Sequence, residues 1–220
     1  MSVWAVIVAA GRGERLGLDR PKAFAKLGGR PVLAESLERL ESSEWIDSMV
    51  VVAPPDWEEP VILLAEELGC GKVSAVVPGG DTRAASVRAG LAEVAEDAAV
   101  AVVHDAARPL LPEDVIERLL TTLSQGWDGV IPGVPISDTL KRVEGEQVVE
   151  TVDRDAFAAA QTPQAFVWPT LRDAAAGGVD ATDCAALVEM RGGRVTVVPG
   201  DRRLVKITDQ ADLELVERWL

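Results

Sequence analysis

The chain has 220 residues, 48% of them hydrophobic and 26% charged, which is ordinary composition for one sizeable α/β domain or two small ones. Its formal net charge of −14 argues against a polyanionic nucleic-acid partner, though a local cluster of Arg and Lys can still reverse the field inside one cleft. No apolar run of membrane-spanning length exists, the N-terminus lacks a basic region before its apolar stretch, and Cys70 and Cys184 fit no metal or redox spacing. The expectation is a reduced cytoplasmic protein with no membrane segment, no disulfide frame and no protein-built metal site.

In chain order, Val3–Ala9 is an uninterrupted apolar run, as for a strand buried on both faces. Pro31–Leu40 carries Val32, Leu33, Leu37 and Leu40 at helical spacing. A strand over Ser48–Ala53, a helix over Trp57–Leu68 and a strand over Val73–Val77 follow. Then come a helix over Thr82–Glu96, a strand over Ala99–Val103, a helix over Pro112–Leu123 and a strand over Gly129–Val134. This alternation predicts an α/β fold with a mostly parallel central sheet and helices on both faces.

The rhythm breaks after Pro135. Thr139–Val143, a Glu144-Gly145-Glu146 turn and Val148–Val152 read as a β-hairpin within an arm of about residues 136–155. An isolated hairpin is marginal in water, so the arm is expected to pack against something, with a second subunit favoured. Helices near Trp168–Ala176 and Thr182–Met190, strands over Arg194–Val198 and Leu204–Ile207, and a helix over Gln210–Trp219 complete the chain. Without a linker or repeat, residues 1–220 read as a single domain with an arm.

Four segments carry chemistry. Ala9-Ala-Gly-Arg-Gly-Glu-Arg-Leu-Gly17 follows the first strand, where a glycine-rich turn presents successive N–H groups to phosphate. Its GxGxxxG spacing is neither the dinucleotide fingerprint nor a P-loop. Lys22 follows Pro21, which narrows where its side chain points. In Pro78-Gly-Gly-Asp-Thr-Arg-Ala-Ala-Ser86, Asp81 or Thr82 caps the next helix, while Gly79 and Gly80 permit close ligand approach. His104-Asp-Ala-Ala-Arg-Pro109 closes a strand at its carboxyl end, where ligands of open α/β sheets bind. Asp105 suits a ribose hydroxyl or a magnesium shell there, and Arg108 a phosphate. His104, the only histidine, reads as a satisfied strand-end residue, since no matched nucleophile motif accompanies it.

The segments AAGRGERLG, RPKAF, GGDTRAASV, HDAARP, SDTLKR, TVDRDAF, QTPQAF and VKIT occur in that order. As a set they resemble the 2-C-methyl-D-erythritol 4-phosphate cytidylyltransferases of isoprenoid precursor synthesis, from about Val6 to Leu213. The resemblance implies a Rossmann-like nucleotidyltransferase domain that transfers CMP from CTP to a phosphorylated sugar alcohol, with magnesium held mainly through substrate phosphates. It implies catalytic roles for Arg15, Lys22 and Lys206, and nucleotide contacts at Ala9, Ala10, Gly11, Gly13, Gly80, Asp81, Arg83, Ser86 and Asp105. Acceptor contacts are implied at Asp105, Arg108, Thr139, Arg154, Thr162 and Thr182. Thr139 and Arg154 would come from the arm of a homodimer partner. Arg12 is read as a solvated neighbour of Arg15.

One departure is visible: the family commonly has TDEAS where this chain has Thr182-Asp-Cys-Ala-Ala186. Three rival readings remain: a cytidylyltransferase for another polyol phosphate such as ribitol 5-phosphate, a non-catalytic nucleotide-binding module, and a glycosyltransferase. The last rests on the DxD spacing of Asp153-Arg-Asp155.

Overall fold

A computed structural model describes residues 2–11, 13–17 and 19–220. The first strand, β1 (Val3–Val8), alternates its side chains between two cores: Ala5 and Ile7 enter one, Val6 the other. That period of two is what a strand between two helical layers requires. After β1 come the short antiparallel pair β2 (Lys26–Leu27) and β3 (Arg30–Pro31), then α1 (Val32–Ser42), β4 (Ser48–Ala53), α2 (Glu58–Glu67), β5 (Val73–Pro78) and α3 (Arg83–Leu91). The chain continues through β6 (Val100–Asp105), α4 (Glu113–Leu123) and β7 (Gly129–Pro135).

The hairpin follows as β8 (Leu140–Glu144) and β9 (Gln147–Val152), a two-stranded sheet apart from the large one. Gly145 at φ 61° makes its turn. Next are β10 (Ala158–Ala160), β11 (Gln164–Val167), α5 (Trp168–Ala175), α6 (Cys184–Met190), β12 (Val195–Pro199) and α7 (Gln210–Glu217).

The large sheet runs β10-β7-β11-β6-β1-β4-β5, with β12 also paired to β7. The β1–β4, β1–β6, β4–β5 and β7–β12 pairs are parallel, whereas β11 runs antiparallel between β6 and β7. The chain leaves β1 toward β4 and β5, then returns to β1's other side at β6. That reversal is the topological switch point beside which α/β folds bind ligands.

One face is covered by α1, α2 and α4 through Leu33, Leu37, Val61, Ile116 and Leu119. The other is covered by α3, α5 and α6 through Val87, Leu91, Leu171, Leu187 and Val188. Each such side chain, fully withdrawn from water, contributes about 1.5–3 kcal/mol. A third, smaller cluster joins Leu16, Leu27 and Val32 to Leu110, Ile207, Leu213 and Val216. It seats α7 behind the glycine-rich turn.

The structure corrects three expectations. The third helix ends at Leu91 rather than Glu96, because tight turns from Gly90 and Leu91 take over. Gly90 presses on the sheet there, where a Cβ would lie 2.5 Å from Val6. Leu204–Ile207 pairs with no strand; loop backbone and side chains take its polar groups instead. Strands β10 and β11 lie in a stretch for which the sequence suggested no element, and β11 makes the sheet mixed.

Candidate active site

The carboxyl ends of β1 and β6 and the loop leaving β5 open onto one cleft of about 550 Å³. Ala9, Ala10, Gly11, Gly13, Arg15, Lys22, Gly80, Asp81, Arg83, Ser86, Asp105 and Lys206 all line it. Arg12 lies outside the described residues. Four cationic side chains, Arg15, Lys22, Arg83 and Lys206, face two carboxylates, Asp81 and Asp105. A chain of net charge −14 thus carries a locally positive cavity.

The glycine turn is built for close approach. Gly13 sits at φ 73°, and a Cβ there would fall 2.9 Å from the Lys22 Cβ. The Gly11 carbonyl accepts from the Lys22 N–H at 3.3 Å, so the turn and the Pro21-Lys22 segment are stitched together. Gly79 packs against the same turn, where a Cβ would lie 2.2 Å from the Ala10 Cβ. Beyond it Thr82, not Asp81, caps α3 by accepting from the Ala85 N–H at 3.0 Å. Ser86 closes the loop, donating to the Thr82 carbonyl at 3.0 Å and accepting from the Gly80 N–H at 3.1 Å.

Asp105 is the electrostatic centre. Arg83 Nη2 and Nε lie 2.9 and 3.1 Å from Oδ1, and Lys206 Nζ lies 2.7 Å from Oδ2. Burial alone would raise the Asp105 carboxyl, but Arg83 and Lys206 outweigh it and hold the group well below the usual carboxylate range. Lys22 donates to the Ile207 carbonyl at 2.9 Å. Desolvation, then the nearby Lys206 charge, lowers its pKa despite the opposing pull of Asp105. A triphosphate entering the cleft would relieve that mutual repulsion.

The other predicted site residues lie elsewhere. Arg108 Nη1 donates to the Leu204 carbonyl at 2.5 Å and does not line the cleft. Thr162 is buried behind Asp105, accepting from its N–H at 3.0 Å. Thr182 is exposed ahead of α6, whose first turn is capped by Asp183. Thr139 is exposed on the arm, and Arg154 donates to the Ser137 carbonyl beside a separate groove. The Asp153-Arg-Asp155 triplet is a turn in which Asp153 accepts from the Asp155 N–H at 3.1 Å, which explains that spacing without a metal.

Sequence reasoning passed over Thr82 as a lining residue, and also Ala106, Ala107 and Thr208, although all four lie within the motifs that were singled out. The small alanines were the available signal: they leave room beside Asp105. Gln161 and Gln164, in the QTPQ segment, were also passed over; both are buried and hydrogen-bonded.

His104 is fully buried, with Nε2 3.1 Å from the Arg108 carbonyl and Nδ1 3.4 Å from Thr162 Oγ1. Burial lowers its pKa to about 4, so it is neutral near pH 7. Both cysteines are free and buried, and burial pushes each thiol up to about 11. Among the described residues no three His, Cys, Asp or Glu side chains are grouped to hold a metal ion, and both Asp105 oxygens are engaged by cations. No helix among them is long and apolar enough to cross a membrane.

A doubly wound α/β domain with a cationic, glycine-walled cleft at its switch point belongs to the class of nucleotide-binding α/β enzymes. Residues 3–220 match the family model described as IspD, 2-C-methyl-D-erythritol 4-phosphate cytidylyltransferase. The chain is 44% identical to the protein of that name from Nocardia farcinica over all of this chain and 94% of the relative. It is likewise 44% identical to the one from Frankia casuarinae, over 99% of this chain and 81% of the relative. Among solved structures, the cytidylyltransferase of Thermus thermophilus is similar, with a TM-score of 0.79 and 33% identity over 100% of this chain and 98% of that one. The chain belongs to the 2-C-methyl-D-erythritol 4-phosphate cytidylyltransferase family.

Proposed function

We propose that this chain transfers the cytidylyl group of CTP to 2-C-methyl-D-erythritol 4-phosphate, forming 4-diphosphocytidyl-2-C-methyl-D-erythritol and releasing pyrophosphate. The observation that carries this reading is the convergence of Arg15, Lys22 and Lys206 on a glycine-walled cleft in a chain of this family. An acceptor phosphate oxygen attacks the α-phosphorus, a new P–O bond forms, and the bond to pyrophosphate breaks. The acceptor's second pKa is about 6, so the nucleophile is already ionised at neutral pH and no general base is needed. That fits a chain whose only histidine is buried, neutral and outside the cleft lining.

The catalytic task is then to bring two anions together and stabilise the charge that develops between them. Arg15, Lys22 and Lys206 supply fixed positive charge for it. The N–H groups around Ala9–Gly11 face the triphosphate, and Gly80–Ser86 surrounds the base. Magnesium would be held mainly through substrate phosphates and would neutralise part of their charge, in keeping with a cleft that offers two carboxylates, Asp81 and Asp105, the latter engaged by both Arg83 and Lys206. The setting is the cytoplasm, consistent with two free, buried cysteines.

The working form is a homodimer joined through the arm. Val143, Val148, Val149 and Phe157 are exposed on or beside the hairpin, an apolar surface that a second subunit would cover. Thr139 and Arg154 do not line their own chain's cleft, which supports their serving the partner's acceptor site.

Pyrophosphate release from CTP with a panel of polyol phosphates tests the reaction. The methylerythritol phosphate should be used far better than ribitol 5-phosphate; equal use, or no release with either, overturns the assignment. Arg154→Ala should raise KM for the sugar phosphate much more than for CTP, and an equal rise in both counts against the acceptor contact.

A further inference from the structure

The segment from Gly200 to Thr208 carries Lys206 into the cleft, yet it belongs to no helix or strand. Chain without a ladder of its own takes its position from whatever else satisfies its backbone. Upstream it is held at two points: the Gly200 N–H donates to the Gly133 carbonyl in β7 at 2.8 Å, and the next residue, Asp201, is held by Gln161. The Gln161 Nε2 donates to the Asp201 carbonyl at 2.9 Å, and its Oε1 accepts from the Asp201 N–H at 3.1 Å. Both ends of one planar amide thus close on the backbone of a single residue, fixing distance and orientation together.

Gln161 is itself anchored. Its side chain is buried and its N–H donates to the Pro132 carbonyl in β7 at 2.8 Å. Gly200 makes the approach possible, since a Cβ there would lie 2.3 Å from the Gln161 Oε1. The Asp201 carbonyl also accepts from the Leu204 N–H at 3.1 Å, which starts the strap toward the cleft. Farther along, Lys206 Nζ meets Asp105 at 2.7 Å, and the Ile207 carbonyl receives Lys22 Nζ at 2.9 Å. Two cationic side chains from opposite ends of the sequence therefore take their places from the register of one strap.

We infer that Gln161 is a positioning residue for cytidylyl transfer: its paired hydrogen bonds to Asp201 set the register of the 200–208 strap and, through it, the placement of Lys206 and Lys22. The inference rests on the phosphate-handling roles proposed above for the two lysines. Gln161 does not line the cleft, so its effect is exerted through the strap.

The test compares Gln161→Met, Lys206→Ala and the double variant in the full chain, with pyrophosphate release measured at saturating CTP and 2-C-methyl-D-erythritol 4-phosphate. Gln161→Met keeps the side-chain length and removes both hydrogen bonds. It should lower kcat about tenfold or more, since small misplacements of charged groups are costly at a reacting centre. In the Lys206→Ala background its loss should be at least twofold smaller, because the group it places is gone. A wild-type kcat for Gln161→Met, or a loss in both backgrounds equal within a factor of two, overturns the inference. Wild-type turnover by Lys206→Ala would instead overturn the role of that lysine, and the inference with it. Gln161→Glu, which keeps the bond from the Asp201 N–H, carries the same comparison if Gln161→Met does not fold. Failure of both to fold makes Gln161 a residue of the fold alone.

Discussion

Replacing His104 by Gln should remove most of the pH dependence of stability between pH 7 and pH 5. His104 is the only histidine in the chain, and burial depresses its pKa from 6.5 to about 4. Above pH 6.5 the ring is neutral in both the folded and unfolded chain and stability is full. As the pH falls through 6.5 toward 4, the unfolded chain takes up a proton that the folded chain refuses, and stability drains away. For those two values the loss between pH 7 and pH 5 is about 2 kcal/mol, equivalent to a Tm fall of roughly 4–8 °C for a chain of this size. Thermal unfolding followed by circular dichroism at half-unit pH steps reads it directly. Carboxylates titrate mostly below this window, so the Gln variant should be nearly flat across it. A variant with the same slope as the wild type would refute the claim that His104 is buried as a neutral ring.

Other consequences of the geometry are open to measurement. Arg15→Ala and Lys22→Ala should each lower kcat about a hundredfold or more, as when a donor to a developing anion is removed, and steady-state pyrophosphate release will show it. Gly79→Ala would set a Cβ 2.2 Å from Ala10, so it should weaken CTP binding in calorimetry while β5 and α3 still form. Because the Lys22 pKa is lowered in the free protein and a bound triphosphate would raise it again, CTP affinity should fall as the pH rises through that lowered value. Lys22→Met should abolish that alkaline limb.

Much of this architecture is legible in the residues. β4 was readable to its ends because Ser48–Ala53 is an apolar run with turn-forming sequence on either side. The cleft was legible because its cations and glycines cluster in short motifs at strand ends. The strap was not, since Leu204–Ile207 has strand-like composition and only its partners, Arg108, Lys22 and Ala107, reveal that no ladder claims it. β11 was hidden by brevity, four residues between Pro163 and the start of α5. The Asp105 clamp was equally hidden, because Arg83 and Lys206 stand 22 and 101 residues from it. Motif reading placed all three in one site but could not say that they bind one another.

The small cluster in which Leu16 and Leu27 meet Ile207, Leu213 and Val216 has a bearing on synthesis. The glycine-rich turn leaves the ribosome well before residues 204–216, which back it. A nascent chain can assemble β1, β4, β5 and β6 well before residues 204–216 emerge, but during that interval the turn lacks its support and Lys206 is still to be made. In that interval nucleotide would meet a cleft that still lacks Lys206 and Thr208, and a ribosome stalled before α7 would hold a sheet with an unfinished binding site.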